Sequence, residues 1–278
     1  MSRWSIRRSA ILLLSAVLLG GCSGEGEPAG PDLPLAERFS EDFENASTLA
    51  DLFPSDGTRW TNLQRTPASN VVELSTARSR SGDRSVRMVA APSNDQGISK
   101  ADLVLERFDL REGDRIWVEF WLWLSDSGDT RDVFLWDLEA PATCTDQTSC
   151  PAVGSGGICP SPGRRLYLGG NGGELTSDLG KWCRGRILRP GLETLLPERW
   201  TRIRIDMSLT ADADGRFVVF QDDQLVLDER GITLPRADAI YTRMQIGLTA
   251  NGSTVLPNEL FIDDVEVWTG EPPAWALP

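Results

Sequence analysis

The sequence predicts an all-β domain, an antiparallel β-sandwich, and three observations support this fold class. Apolar and polar residues alternate with a period of two in about a dozen short segments between Phe39 and Trp268. Turn signals such as Asp212–Gly215 and Asn251–Gly252 separate these segments. No helical pattern is long enough to cross between parallel strands. The pattern is continuous, so we expect one domain over residues 39–270 and a short tail over residues 271–278.

The strand assignments follow the alternation segment by segment. In chain order the predicted strands are Phe39–Phe43, Val71–Leu74, Ser85–Ala90, Ala101–Phe108, Arg115–Leu124, Val133–Leu138, Arg165–Leu168, Trp200–Met207, Arg216–Gln221, Gln224–Glu229, Arg243–Thr249 and Glu259–Trp268. Brief helical turns are expected at Thr48–Phe53 and Arg189–Leu196.

The composition excludes several function classes. The chain has 278 residues and no His, so it has no Ser-His-Asp or Cys-His catalytic machinery and no histidine metal ligand. With 28 Lys+Arg against 41 Asp+Glu, its formal net charge is −13. Nucleic acid binding requires a basic surface, so we expect no nucleic acid partner.

The N-terminus has the form of a bacterial export signal. Arg3, Arg7 and Arg8 precede a short apolar stretch, Ala10–Leu19, which is too short to span a bilayer. The following Leu19-Gly20-Gly21-Cys22 resembles the lipobox of bacterial lipoproteins; the alternative is an ordinary secretory cleavage site with a chance cysteine. We expect residues 1–21 to be removed, Cys22 to carry lipid and residues 22–38 to form a flexible tether. The resemblance implies a cell-envelope location, at the outer membrane or cell surface.

Four further cysteines lie close together in the sequence, and export would place them in an oxidising compartment. They are Cys144, Cys150, Cys159 and Cys183. Two local disulfides are expected, and three pairings are open, of which Cys144–Cys150 with Cys159–Cys183 is preferred. A zinc site is the alternative, but the spacings contain no CxxC.

Several short motifs occur in an order known from one group of β-sandwiches. They are Ser40–Glu44, Ser81–Arg87, the tryptophan-rich Trp117–Leu124, Pro197–Ile203, Gly215–Leu227 and Phe261–Val265. Together they resemble the concanavalin A-like jelly rolls of bacterial polysaccharide lyases, laminarinase-type hydrolases and laminin-G-like lectins. The resemblance spans nearly the whole domain and implies a jelly roll that engages polysaccharide. Enzymes and binding modules share these motifs, so they do not distinguish catalysis from binding.

Carboxylates at the two ends of the domain predict a metal site. Asp42 and Glu44 lie near its start, Asp263 and Asp264 near its end, and they would meet if the first and last strands pair. Oxygen ligands of this kind suit calcium, and the resemblance implies a structural calcium ion between these segments. The alternative is surface carboxylates that flank strands. No other cofactor is expected.

A second pair of carboxylates, Asp137 and Glu139, shares one face of a predicted strand. Laminarinase-type hydrolases carry Glu-x-Asp-x-Glu in such a strand, but here Leu135 occupies the position of the nucleophile. A retaining mechanism needs two carboxylates about 5 Å apart, so hydrolysis by this route is not expected. Asp137 and Glu139 stay candidates for binding sugar hydroxyls.

Further candidates for ligand binding alternate with apolar residues on four strands. They are Arg202 with Arg204, Arg243 with Gln245, Arg165 with Tyr167, and Trp121 with Trp123. If the arginine faces coincide, they form one groove suited to uronate carboxylates, which arginine binds in a bidentate manner. The tryptophans either stack on sugar rings or fill the core. A solvated arginine face is the alternative.

β-Elimination from a uronate needs a group that neutralises the carboxylate, a base that takes the C5 proton and an acid that protonates the leaving oxygen. Lyases of this fold often use a His/Tyr pair, or Tyr alone, and His is absent. The candidates here are Tyr167, Lys181 and Arg202.

The sequence therefore predicts a lipid-anchored monomer whose jelly roll binds polysaccharide, with uronate-containing chains as the suited class. Catalysis as a polysaccharide lyase is the first alternative. A structural envelope protein without glycan activity is the second.

Overall fold

The computed structural model describes residues 38–94, 98–107, 109–126, 129–140, 163–169, 173–178, 188–234, 237–253 and 255–276. The chain divides into two compact units, Met1–Pro31 and Asp32–Pro278. The first unit, with the predicted signal and Cys22, lies outside the described residues. Within the described part of the chain, nothing forms an apolar helix of membrane-spanning length.

The described residues of the second unit form antiparallel strands and one 3-10 turn, η1, at Leu49–Leu52. The strands are β1 (Arg38–Glu41), β2 (Asn62–Thr66), β3 (Val71–Ser75), β4 (Ser85–Ala90), β5 (Ser99–Leu105), β6 (Arg115–Leu124), β7 (Val133–Glu139), β8 (Gly163–Leu168), β9 (Glu174–Asp178), β10 (Leu188–Thr194), β11 (Trp200–Ser208), β12 (Arg216–Gln221), β13 (Gln224–Arg230), β14 (Arg243–Asn251) and β15 (Asn258–Trp268).

Two sheets contain all of these strands. An eight-stranded sheet has the order β13-β12-β11-β6-β15-β4-β3, with β1 also paired to β15, and a seven-stranded sheet has the order β10-β9-β8-β7-β14-β5-β2. The predicted all-β sandwich with a jelly-roll fold is confirmed. The first and last strands pair, with Arg38 opposite Trp268.

The core lies between the two sheets because each strand sends alternate side chains inward. The core-facing residues of β6 are Ile116, Val118, Phe120, Leu122 and Leu124, and those of β14 include Met244, Ile246 and Leu248. Trp136 of the seven-stranded sheet stacks on Phe217 of the other sheet, with ring centroids 6.1 Å apart. Residues of the opposite parity therefore lie on the outer faces of the sandwich.

Three observed strands were not predicted, and one helical prediction is wrong. β2 and β9 have weak apolar alternation, and β10 occupies most of the segment expected to be helical at Arg189–Leu196. Pairing with β9 supplies hydrogen bonds to β10, and Pro190 is tolerated because β10 is an edge strand. The helical turn expected at Thr48–Phe53 is confirmed as η1.

Candidate functional site

The outer face of the seven-stranded sheet brings together polar residues from four neighbouring strands. We call it the polar face, and its members are Lys100 and Asp102 on β5, Arg243 and Gln245 on β14, Asp137 and Glu139 on β7, and Arg165 and Tyr167 on β8. Their core-facing neighbours in sequence, such as Leu103, Ile246 and Leu166, fix this orientation through the period of two.

The register aligns three of these residues across the sheet. Arg165 lies opposite Asp137, and Asp137 lies opposite Gln245. One step along the strands, Glu139 lies opposite Arg243. Directly opposed side chains have Cβ atoms roughly 5 Å apart, so guanidinium, carboxylate and amide groups are neighbours on this face.

Hydrogen bonds connect the middle of the polar face. Gln245 Nε2 donates to Glu139 Oε2 at 2.8 Å. Lys100 Nζ donates to Gln64 Oε1 at 3.3 Å and to Gln245 Oε1 at 3.5 Å. Arg243 forms an ion pair with Glu106, with Nε 3.2 Å from Oε1. These contacts hold Gln245 between a carboxylate and an ammonium group.

Tyr167 lies beside an aromatic partner rather than in the main core. Its ring stacks on Phe134 with centroids 4.6 Å apart and an angle of 15° between planes, and Ala250 completes this small cluster. The Arg165 guanidinium lies 4.5 Å from the Phe134 ring centroid. The other tyrosine, Tyr241, is fully buried and donates to the Thr233 carbonyl at 2.8 Å. Burial raises the pKa of Tyr241, which makes it a poor base.

Burial separates the charges of the polar face by sign. Asp102, Asp137 and Glu139 are buried, together with Gln245. Lys100, Arg165 and Arg243 are only partly buried. The groups of the polar face that reach solvent are therefore its cations, although the chain as a whole is acidic.

Sequence reasoning missed two members of the polar face, Lys100 and Asp102, and Asp102 has the more unusual environment. Neither of its carboxylate oxygens accepts a hydrogen bond within the described residues. Burial raises its pKa well above 3.8; Lys100 and Arg243 oppose the shift, and Asp137 and Glu139 add to it. An acidic residue at an outward position of an apolar strand was the available sequence signal.

The structure does not bring all the predicted arginines and tryptophans to this face. Arg202, Arg204, Trp121 and Trp123 lie on the outer face of the eight-stranded sheet, because β11 and β6 are neighbours there. The expectation that the arginine faces form one groove is wrong. Arg204 instead pairs with Glu119 at 2.8 Å, and both arginines pair with Asp223.

The four carboxylates of the predicted calcium site accept hydrogen bonds from backbone and hydroxyl groups. Glu44 accepts from the N–H groups of Asp83 and Arg84, Asp263 from that of Arg80 at 2.7 Å, and Asp264 from the Ser81 hydroxyl at 2.7 Å. Asp42 accepts from the Glu44 N–H.

Among the described residues, no three acidic or cysteine side chains group as metal ligands. Burial raises the pKa of Asp263 to about 7, against the Arg80 N–H bond and with help from Asp264. Calcium binding by Asp42, Glu44, Asp263 and Asp264 stays a prediction.

Several predicted residues lie outside the described part of the chain. They are Cys22, Cys144, Cys150, Cys159, Lys181 and Cys183. Lipidation, both disulfides and the role of Lys181 stay predictions.

Comparison with known proteins adds to this geometry. No protein-family model and no curated protein sequence matches the chain. Among solved structures, the endo-β-1,4-glucuronan lyase of the fungus Trichoderma reesei matches with a TM-score of 0.60 and 19% identity, covering 76% of this chain and 91% of that one. The chain has the fold of this lyase.

Two further structures share the fold. The cellulose induced protein Cip1 matches with a TM-score of 0.54 and 16% identity, over 84% of this chain and 99% of that one. The alginate lyase Aly36B matches with a TM-score of 0.53 and 9% identity, over 86% of this chain and 100% of that one. Identities this low establish the shared jelly roll and leave the activity of this chain to its own residues.

Proposed function

We propose that the protein binds an acidic, uronate-containing polysaccharide on the polar face. The observation that carries this proposal is the separation of charge: Lys100, Arg165 and Arg243 are partly exposed, while Asp102, Asp137 and Glu139 are buried. A polyuronate presents a carboxylate on every sugar, and a guanidinium binds a carboxylate through two parallel hydrogen bonds.

The remaining polar face residues support the cations and do not contact a sugar directly. Asp137, Glu139 and Gln245 are buried, and the Gln245 amide is already bonded to Glu139 and Lys100. Tyr167 and Phe134 are buried as well, stacked on each other. Lyases of glucuronan and alginate, both polymers of uronic acids, share the fold, which supports this ligand class.

Cleavage by β-elimination is a second candidate function, because Tyr167 and Arg165 lie two residues apart on the same face of β8. In this reaction the partly exposed Arg165 would bind the uronate carboxylate. Tyr167 is buried, so the reaction would require a local opening that exposes it. In its deprotonated form it would then take the C5 proton, the C4–O bond would break as the C4–C5 double bond forms, and the departing oxygen would receive a proton.

We further propose that Cys22 carries the lipid that anchors the protein in the cell envelope. Cys22→Ala should leave the protein soluble after export, whereas the parent protein should fractionate with membranes.

Binding and cleavage are tested on the same panel of alginate, glucuronan, pectate and neutral β-glucan. The parent protein should be retained on a polyuronate but not on the neutral glucan. Arg165→Gln should weaken retention roughly 10–100-fold, the loss expected for a charged hydrogen bond. Arg216→Gln is the matched control, because Arg216 pairs with Asp228 at 2.8 Å on the other sheet; it should bind like the parent.

Tyr167→Phe separates binding from cleavage. A binding module keeps its affinity in this variant, and no polyuronate gains the ultraviolet absorbance of an unsaturated product. A lyase produces that absorbance in the parent and loses it in Tyr167→Phe. Equal retention of the parent and Arg165→Gln on all acidic polymers would contradict the proposed site.

A further inference from the structure

Arginine guanidiniums lie over tryptophan rings across the outer face of the eight-stranded sheet. The pairs are Arg38 with Trp268, Arg78 with Trp123, Arg80 and Arg202 with Trp121, Arg115 with Trp117, and Arg204 with Trp275. The closest are Arg78, 3.6 Å from the Trp123 centroid, and Arg80, 4.1 Å from that of Trp121. Such stacking is an attraction between a cation and the face of an aromatic ring.

Carboxylates neutralise most of these arginines. Arg38 pairs with Glu266 at 2.6 Å and Arg115 with Asp206 at 2.6 Å. Arg204 pairs with Glu119, and Arg202 with Asp223. Each of these guanidiniums already uses hydrogen-bond donors that a ligand would need.

Arg78 and Arg80 differ from the others in lacking a carboxylate partner. Both are exposed, as Arg38 is, but neither guanidinium has an ion pair or side-chain hydrogen bond within the described ranges. Glu259 interacts with Arg78 electrostatically, but its oxygens bind Arg87 and Ser125, each at 2.6 Å. The guanidinium N–H groups of Arg78 and Arg80 are therefore available to bind a ligand while each guanidinium plane stays stacked on an indole ring.

The loop that carries both arginines is held in place by its own hydrogen bonds. It connects β3 to β4, and the Arg78 carbonyl accepts from Ser85 Oγ at 2.6 Å. The Arg80 and Ser81 N–H groups both donate to Asp263 Oδ2. These bonds fix the backbone, and the indoles fix the side chains, so binding would cost little ordering of either arginine.

We propose that Arg78, Arg80, Trp121 and Trp123, the arginine–tryptophan patch, form a second binding site for acidic polysaccharide. The ligand class rests on the proposed function of the polar face, and the patch lies on the opposite sheet. Trp121 and Trp123 are two residues apart on β6, which spaces the stacked cations by roughly 7 Å. Two charges in a row suit the repeated carboxylates of a linear polyuronate.

A site on each outer face makes one protein molecule bivalent. The two sheets back onto a common core, so the sites face in opposite directions. One molecule would therefore bridge two polysaccharide chains, and a soluble polyuronate would be cross-linked at intermediate ratios of protein to polymer.

The test is calorimetric titration of the full-length protein with a short alginate or glucuronan hexasaccharide. The parent should bind two equivalents. Arg78→Gln with Arg80→Gln should bind one equivalent and should no longer cross-link long polymer, as measured by turbidity. Arg78→Lys with Arg80→Lys keeps the charge but loses the bidentate geometry, and its affinity at this site should fall about tenfold.

The matched control is Arg38→Gln with Arg115→Gln, which removes two stacked arginines that already have carboxylate partners. It loses the same charge and should still bind two equivalents. Equal losses in both double variants would mean that binding follows net charge alone, and this would overturn the patch.

The outcomes distinguish the two proposals. If the parent binds one equivalent and only Arg165→Gln removes that binding, the patch is overturned and the polar face is supported. If the parent binds one equivalent and only Arg78→Gln with Arg80→Gln removes that binding, the polar face is overturned and the patch is supported. Absence of binding to every oligouronate overturns both, and unchanged melting temperatures show that each variant is folded.

Discussion

At the scale of single residues, Asp102 has the most unusual environment on the polar face. Its side chain is buried, its oxygens accept no hydrogen bond within the described residues, and two further acids, Asp137 and Glu139, act on it electrostatically. Lys100 and Arg243 favour its charged form. A carboxyl group in this position is costly to ionise, and the cost falls on the folded state alone.

Asp102→Asn should therefore stabilise the protein at neutral and alkaline pH. A folded-state pKa above 3.8 means that the folded protein binds the proton more tightly than the unfolded chain, so stability is lost as pH rises from about 4. The amide keeps the shape without the charge. We expect a gain of roughly 1–3 kcal/mol near pH 8 that disappears near pH 4, measured by urea unfolding at both pH values.

Asp109→Asn provides the control for this prediction, because the Asp109 side chain is 71% exposed. It should leave the stability unchanged at both pH values. A loss of stability in Asp102→Asn near pH 8 would show that attraction to Lys100 outweighs the cost of burial.

At the scale of elements, β14 depends on a glycine where its pairing becomes irregular. The register shifts after Leu248 against β5 and after Ile246 against β7, and Gly247, with φ of +123°, lies opposite Asp102. A Cβ at Gly247 would come within 2.2 Å of the Met88 sulfur of the opposite sheet. The backbone of β14 therefore needs a residue without a side chain two positions after Gln245.

Gly247→Ala should destabilise the protein by about 2–4 kcal/mol, from the positive φ and the clash with Met88 together. Gly113→Ala is the matched control: its φ is +89° and no atom lies within 4 Å of the added Cβ. It should lose only about 1–2 kcal/mol. If Gly247→Ala and Gly113→Ala lose the same free energy of unfolding in urea, Met88 moves aside at no cost.

At the scale of the whole molecule, a buried ion pair connects the two sheets. Arg164 on β8 pairs with Glu229 on β13, and Ser177 on β9 donates to the same carboxylate at 2.5 Å. The Arg164 side chain is 3% exposed and its guanidinium lies 4.3 Å from the Phe217 ring centroid. This contact attaches the edge strand β13 to β8, the strand that carries Arg165 and Tyr167.

Arg164→Met should cost about 3–5 kcal/mol, because it leaves the Glu229 carboxylate without its buried partner. The double variant Arg164→Met with Glu229→Leu should recover much of this loss, since apolar residues can replace a buried ion pair. Arg216→Met, which breaks an exposed pair on the neighbouring strand, should cost less than about 1 kcal/mol. If the losses in free energy of unfolding from Arg164→Met and Glu229→Leu simply add in the double variant, the two side chains are not a coupled pair.

Most of the fold was predictable because alternation is a local property. The pattern in Arg243–Thr249 already places Met244, Ile246 and Leu248 on the opposite side from Arg243 and Gln245, and the core confirms it. β2 and β9 were missed because their alternation is weak. β10 was misassigned because its strand conformation comes from pairing with β9.

The sequence by itself determined the all-β class and, outside the irregular parts of β7 and β14, the side of a strand on which a residue lies. Only the tertiary structure decided which strands are neighbours. Arg202 and Arg243 both alternate with apolar residues, yet β11 and β14 belong to different sheets, so the predicted single groove becomes two separate faces. The physical reason is that side-chain alternation is set within one strand, whereas strand pairing is a contact between distant parts of the chain.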